Sequence, residues 1–367
     1  MKVGILTISE GENYGNRLQN YASQEVLKSL GMQPYTIKNY TNQYITKYRI
    51  KEDAKIIISK LYKKINKINN QKLSNTLRYI KFKNFNISNI EYANEIVSKD
   101  NISTELNKKY DFFITGSDQV WNPEYLINSE IDFLTFADKK KRIAFSPSFG
   151  VSKLPENCKD NYKKWINGME YLSVREQAGA DIIKDLTGRE AIVLLDPTLM
   201  LSKDEWMNIA KKPELNQDLN KKYILTYFLG NKSLEVENKI NKIAKDNGLQ
   251  IINLLDINDK YIYSVDPSEF IWLINNCELM CTDSFHGAVF SLIMKRPFIV
   301  FERKSEGASM NSRLETLLSK FDMECRLDKN ICNNGQVFNV DFENVDRIIN
   351  NEKEKTFNYL KNALNIK

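Results

Sequence analysis

The chain has 367 residues, 42% hydrophobic and 27% charged, the mix of a globular protein with material for about two domains. Its 14 glycines exclude a collagen-like or low-complexity Gly/Pro chain, and no apolar run reaches the roughly 18–20 residues of a membrane helix. A net charge of +6 does not by itself imply nucleic acid, and none is expected as a partner.

Residues 2–8 read as a strand that meets Glu10 too early for a secretory leader, so a cytoplasmic protein is expected. A polar loop over 9–16 leads to a helix over 17–30, stopped by Gly31, and a strand over 34–38. Strand, loop, helix, strand is the doubly wound α/β unit. Residues 47–83 break the rhythm, with twelve Lys/Arg against Glu52 and Asp53, a local charge of +10. Ile56, Ile57, Leu61, Ile65 and Ile68 recur at helical spacing, which predicts a basic amphipathic helical insertion. Such a stretch is either a solvated face or a contact with a polyanion or an anionic membrane surface.

Strands resume at 111–115, 142–146, 171–174 and 191–195, six in all by that point. A second set follows: strands at 223–228, 250–253, 278–282 and 297–301, helices at 234–247, 268–276, 311–321 and 345–365, and an apolar helix ending near 294. The expected architecture is α/β, with two Rossmann-like domains facing across a cleft. They would cover 1–200, carrying the insertion at about 41–105, and 201–345, with a C-terminal helix over 346–367. Ligands of such sheets sit beyond the carboxyl ends of the strands.

The candidate residues mostly follow those strands. His286, the only histidine, lies in Ser284-Phe285-His286-Gly287 at the start of an apolar helix. Free N–H groups and the dipole make such a place an anion site, though a histidine there can also simply cap the helix. Arg175, Arg303 (beside Lys304) and Arg313 supply forked donors for phosphate and carboxylate, against the plain alternative of surface charge. Asn13, Tyr14, Gly15 and Asn16 form a loop that is neither G-x-G-x-x-G nor a P-loop, which argues against NAD and ATP. It suits sugar hydroxyls or a structural turn. In the loop Gly116–Pro123, Asp118 reads as a base or a buried turn residue, and Gln119 and Trp121 as acceptor contacts, Trp121 as a sugar platform. Cys277-x3-Cys281 and Cys325-x6-Cys332 are poor metal spacings, and five thinly spread cysteines fit reduced, mostly buried thiols.

In order, N-Y-G-N, G-S-D-Q-V-W-N-P, S-V-R-E, L-D-P-T, T-D-S-F-H-G and K-R-P-F-I-V-F resemble the polysaccharide pyruvyl transferase family, from residue 2 to about 321. The resemblance implies a GT-B-like fold and transfer of the enolpyruvyl carbons of phosphoenolpyruvate to a sugar. The product would be a pyruvate ketal and phosphate, with no metal or organic cofactor. It implies a general acid at His286 and donor-binding arginines at Arg175 and Arg303, with Arg313 as rival and Ser284 and Gly287 beside them. The chemistry asks for a base near the sugar, Asp118 first and Asp283 second. The acceptor would be a cell-surface glycan or its lipid-linked precursor, and the basic insertion would suit the inner face of the membrane or a diphosphate-linked acceptor. One competing reading is a GT-B glycosyltransferase using a nucleotide sugar. It lacks a Glu-x7-Glu in the second half. A non-catalytic glycan- or polyanion-binding protein is the other.

Overall fold

The computed structural model describes residues 1–9, 11–40, 70–98, 102, 105–124, 129–303 and 312–366. Strand β1 (Lys2–Leu6) is buried along Val3, Gly4, Ile5 and Leu6, the near-continuous apolar run of a strand covered on both faces. It lies between β2 (Gln33–Asn39) and β4 (Phe112–Thr115), with β3 (Tyr92–Val97) and β5 (Arg142–Ala144) outside them. All pairs are parallel, and Ile5 stands level with both Thr36 and Ile114. The order 3-2-1-4-5 reverses direction between β1 and β4, so the loops leaving those two strands flank a crevice. Short strands β6 (Ser173–Val174) and β7 (Ile192–Val193) extend this half through a single bridge from Ile143 to Tyr171.

The second sheet has the order β11-β10-β8-β9: β8 (Tyr223–Tyr227), β9 (Gln250–Asn253), β10 (Leu279–Thr282) and β11 (Phe298–Val300). Its pairs are parallel too, and its reversal falls between β8 and β10. The first six helices are α1 (Tyr14–Ser29), α2 (Asn70–Asn89), α3 (Leu106–Lys109), α4 (Lys159–Asn167), α5 (Gln177–Thr187) and α6 (Lys203–Ile209). Those that follow are α7 (Leu234–Asp246), α8 (Lys260–Tyr263), α9 (Pro267–Asn276), α10 (Phe285–Met294), α11 (Ser312–Lys320), α12 (Asn334–Phe338) and α13 (Val345–Ala363). The chain is thus two Rossmann-like α/β halves facing one another, a GT-B-like arrangement.

One apolar cluster runs through both halves, joining Val3, Ile5, Tyr14 and Leu18 to Tyr227, Phe270, Phe290 and Leu360. Helix α13 returns to the first half, where the Tyr359 hydroxyl donates to the Ala144 carbonyl at 2.6 Å and Lys355 Nζ to the Val193 carbonyl at 3.0 Å. No helix among the described residues is long and apolar enough to cross a membrane.

The basic stretch turns out differently where it is described. Residues 41–69 lie outside the described residues, but α2 buries Ser74, Arg78, Phe82 and Phe85, a helical i, i+4, i+8, i+11 face. Arg78 donates to the Tyr14 hydroxyl (3.0 Å), the Tyr263 carbonyl (2.7 Å) and the Glu12 carbonyl (2.8 Å), with its guanidinium over the Tyr14, Phe82 and Tyr263 rings. Lys81 pairs with Glu269 of α9 at 2.9 Å. These two charges knit the halves together rather than forming a solvated or membrane-facing surface. The thiols also depart from expectation: Cys277 and Cys281 are buried, Cys158 is half-buried, and Cys325 and Cys332 are exposed.

Candidate active site

Strand β10 ends at Thr282 and α10 begins at Phe285, so the two residues between them, Asp283 and Ser284, make the turn. All ten residues of α10 are buried, because its apolar residues face the core on every side. The Thr282 hydroxyl donates to the Tyr227 carbonyl (2.6 Å) and accepts from the Ser284 amide (2.9 Å), while Ser284 Oγ accepts from the Gly287 amide at 3.5 Å. A Cβ at Gly287 would lie 2.5 Å from Thr282 Oγ1, so only glycine lets the first helical turn pass that side chain. This turn fixes His286, which is 5% exposed.

His286 Nε2 faces Asp196 Oδ2 at 3.6 Å and has no hydrogen-bond partner. That separation is longer than a hydrogen bond, as is common before a substrate is bound. The ring face around Nδ1 lies against Gly15 of α1, where an added Cβ would overlap Nδ1 and fall 2.5 Å from both Cε1 and Cγ.

Asp196 is the hub. Its Oδ1 accepts from the Thr198 amide (3.0 Å) and hydroxyl (2.6 Å), capping the turn Pro197–Met200. Its Oδ2 accepts from Ser117 Oγ (2.9 Å) and Arg175 Nη1 (2.7 Å). Burial alone would raise this carboxyl. The charges of His286 and Arg175 and the hydrogen bonds from Thr198 outweigh it and hold the group well below the usual carboxylate range. Arg175 is buried, reaches Asp118 Oδ1 with Nη2 at 3.3 Å, and stacks on the Phe285 ring at 4.3 Å. Asp118 stands at φ +67°, which turns its carboxylate back to accept from the Gln119 amide at 2.9 Å. Residues following β1, β4, β6, β7 and β10 therefore converge on one buried cluster.

A second ion pair adjoins it. Asp283 Oδ1 accepts from the Leu229 amide (2.7 Å), and Oδ2 accepts from the Gly230 amide (2.8 Å) and Arg303 Nε (3.0 Å). With both oxygens engaged, Asp283 clasps the β8 loop to Arg303, and this is a different role from the second base expected of it. Arg313 is buried in the first turn of α11, and Lys304 lies outside the described residues.

Two acceptor expectations change. Tyr14 is fully buried, stacked on Phe270 at 4.4 Å, with its hydroxyl donating to the Val265 carbonyl at 3.0 Å. Trp121 is also fully buried, stacked on Phe133 at 4.8 Å, and its Nε1 donates to the Asp132 carbonyl. Both are core residues, because an aromatic at a strand end pointing inward has more apolar surface to bury than a sugar offers. Asn13 caps α1 by accepting from the Asn16 amide (3.2 Å), and Asn16 is itself buried. Gln119 accepts from Asn122 Nδ2 at 2.5 Å.

Sequence reasoning gave no individual role to Asp196, Ser117 or Phe285 and read Gly15 only as part of a loop, although each lies in a quoted motif: L-D-P-T, G-S-D-Q-V-W-N-P, T-D-S-F-H-G and N-Y-G-N. Among the described residues, no three His, Cys, Asp or Glu side chains converge as a metal site.

Residues 13–305 match the family model of polysaccharide pyruvyl transferase. No curated protein sequence matches the chain. Among solved structures, a putative UDP-N-acetylglucosamine 2-epimerase from Listeria monocytogenes is similar at 11% identity and TM-score 0.48, over 95% of this chain and 94% of that one. A UDP co-structure of S. aureus MnaA is similar at 10% identity and TM-score 0.48, over 100% and 97%. UDP-GlcNAc 2-epimerase from Neisseria meningitidis bound to UDP-GlcNAc gives 12% and 0.44, over 97% and 100%.

Proposed function

The chain belongs to the polysaccharide pyruvyl transferase family, and on that premise we propose that it moves the enolpyruvyl carbons of phosphoenolpyruvate onto two sugar hydroxyls of a cell-surface glycan or its lipid-linked precursor. The products are a pyruvate ketal and phosphate. The observation that carries the reading is the meeting of His286, Asp196 and Arg175 in one buried cluster.

The chemistry asks for an acid, fixed cations and a base. Asp196 remains ionised and faces Nε2 at 3.6 Å, so its charge favours a proton on Nε2 and leaves Nδ1 as the nitrogen that exchanges a proton with substrate. Protonation of the methylene carbon of the donor turns it into a methyl group and leaves positive charge on the adjacent carbon. A sugar oxygen bonds to that carbon, and Asp118 takes the hydroxyl proton. The bond from this carbon to the phosphate oxygen then breaks, phosphate leaves, and a second hydroxyl closes the ketal. Of the two hydroxyl protons released, one replaces the proton spent on the methylene and the other ends on phosphate.

Arg175 and Arg303 supply the forks for phosphate and carboxylate. Each is already held by carboxylates, which fix its orientation before the donor arrives. Preorganised charge of this kind stabilises a transition state without reorganisation.

The test is phosphate release from phosphoenolpyruvate with a panel of β-galactosides, mannosaminides and glucosides, wild type beside His286→Ala and Arg175→Ala. Acceptor-dependent release that drops by about 10²–10⁴-fold in His286→Ala is expected. No release with any acceptor, together with no thermal shift from phosphoenolpyruvate, overturns the reading in favour of a nucleotide-sugar donor.

A further inference from the structure

With Tyr14 and Trp121 in the core, the acceptor must meet the first half elsewhere. The loop that brings Gly15 to His286 also borders, through its earlier residues, a separate cavity of about 130 Å³. Arg17 of α1, Lys38 of β2 and Lys83 of α2 line it, with the rings of Tyr79 and Tyr92 and one acid, Glu12. Arg17 is 3% exposed and donates to the Gly11 carbonyl, so this guanidinium is built into the wall. Lys38 Nζ lies 5.2 Å from the centroid of the Tyr92 ring. Among the described residues, neither Lys38 nor Lys83 has a carboxylate within ion-pair distance.

Among the described residues, three cations against one acid, around a partly enclosed space, make a place that favours an anion. The volume fits several water molecules. That suits a phosphate or a carboxylate with its attached carbons, but not a whole disaccharide. Aromatic walls add apolar surface for the sugar carrying that anion.

We propose that this cavity is an anion subsite for the acceptor: it seats a phosphate- or carboxylate-class group borne by the glycan and so selects which acceptors are used. The acceptor role rests on the pyruvyl transferase reading; the anion site does not. Two sources share the chemistry, the diphosphate of a lipid-linked glycan and the carboxylate of an acidic sugar.

The experiment is calorimetric titration with inorganic pyrophosphate, with glucuronate and with neutral methyl galactoside, comparing wild type with Lys38→Glu/Lys83→Glu. The double variant should keep the wild-type thermal shift with phosphoenolpyruvate, which also shows that it is folded. If charge reversal disturbs the fold, Lys38→Ala/Lys83→Ala takes its place. Binding of one anion weakened by about tenfold or more in the variant supports the subsite, since each charge-assisted contact is worth roughly that much. Preference for pyrophosphate identifies the diphosphate source, and preference for glucuronate the acidic sugar. Equal binding of both anions to wild type and variant, or no binding of either, overturns the proposal. Lysine-dependent anion binding by a protein that phosphoenolpyruvate does not shift overturns the catalytic reading and leaves the anion site standing.

Discussion

Gly15→Ala tests the placement of His286 most directly. The added methyl carbon would sit 2.5 Å from Cε1 and Cγ of the imidazole. Carbon atoms in contact prefer about 3.5–4.0 Å, so the ring must retreat by about 1 Å or more. Nε2 lies 3.6 Å from Asp196 Oδ2, so any movement of the ring off Gly15 changes that approach and shifts Nδ1 from its place. Overpacking of this kind costs about 1–3 kcal/mol of stability. A 1 Å misplacement of a reacting group costs about 10²-fold in rate. The expected result is a folded protein with a slightly lowered melting temperature, an intact thermal shift with phosphoenolpyruvate and kcat for phosphate release down about 10²-fold. Wild-type kcat and melting temperature in Gly15→Ala would refute the geometry.

Asp196→Asn keeps the shape but removes the charge shared by Arg175 and His286. It should cost about 3–5 kcal/mol in a urea melt at pH 7, the scale for breaking a buried ion pair, and abolish most phosphate release. Because the folded carboxyl lies well below its unfolded value, this contribution is fully present above about pH 4 and lost as the pH falls further. The gap between wild type and variant should thus be flat from pH 5 to 8 and shrink toward pH 3. Asp132 behaves in the opposite sense. Burial pushes its carboxyl up to about 7, despite hydrogen bonds from the Ser129 amide (2.9 Å) and Asn39 Nδ2 (3.0 Å). Its raised value favours the folded state below about pH 4 and withdraws that support as the pH climbs through about 7. Asp132→Asn should flatten the decline in stability between about pH 4 and 7, and an unchanged slope there would show that Asp132 is ionised in the fold. A thiol titration of native protein should modify Cys325 and Cys332 first and Cys158 more slowly, whereas Cys277, pushed up to about 12 by burial, and Cys281 should react only on unfolding.

The second sheet was the most legible part of the sequence. The strands at β8 to β11 are short apolar runs closed by polar turns, and α10 is an apolar run bounded by Ser284 and Lys295. Strand β3 was missed because Tyr92–Val97 is an outer strand with only Val97 buried, so it shows no clean alternation. It also sits within the insertion expected at about 41–105, just past the basic stretch whose charge count suggested a surface. Arg78 shows why that inference fails locally: a cation can be buried when carbonyls and aromatic rings surround it, and no linear pattern reveals such a cage. The individual site residues were legible as strand-end polar groups. Their partnerships were not, since Asp196 meets residues 79 positions before it and 90 after it, at Ser117 and His286. The error at Tyr14 and Trp121 has the same origin: an aromatic after a strand reads equally as platform and as core until the opposite half is in place.

The return of α13 to the first sheet bears on how the polypeptide matures. The Val193 carbonyl waits for an ammonium 162 positions further along the chain, and the Ala144 carbonyl, which accepts from Ser173 Oγ at 2.6 Å, gains its second donor from a hydroxyl 215 positions on. During vectorial synthesis the first half therefore leaves the ribosome with a seam still open, and Leu360 and Ala363 are missing from the cluster that also holds Val3 and Ile5. Nascent chains stalled before residue 345 should keep that half protease-sensitive and prone to chaperone capture, and the seam closes only when the returning helix docks.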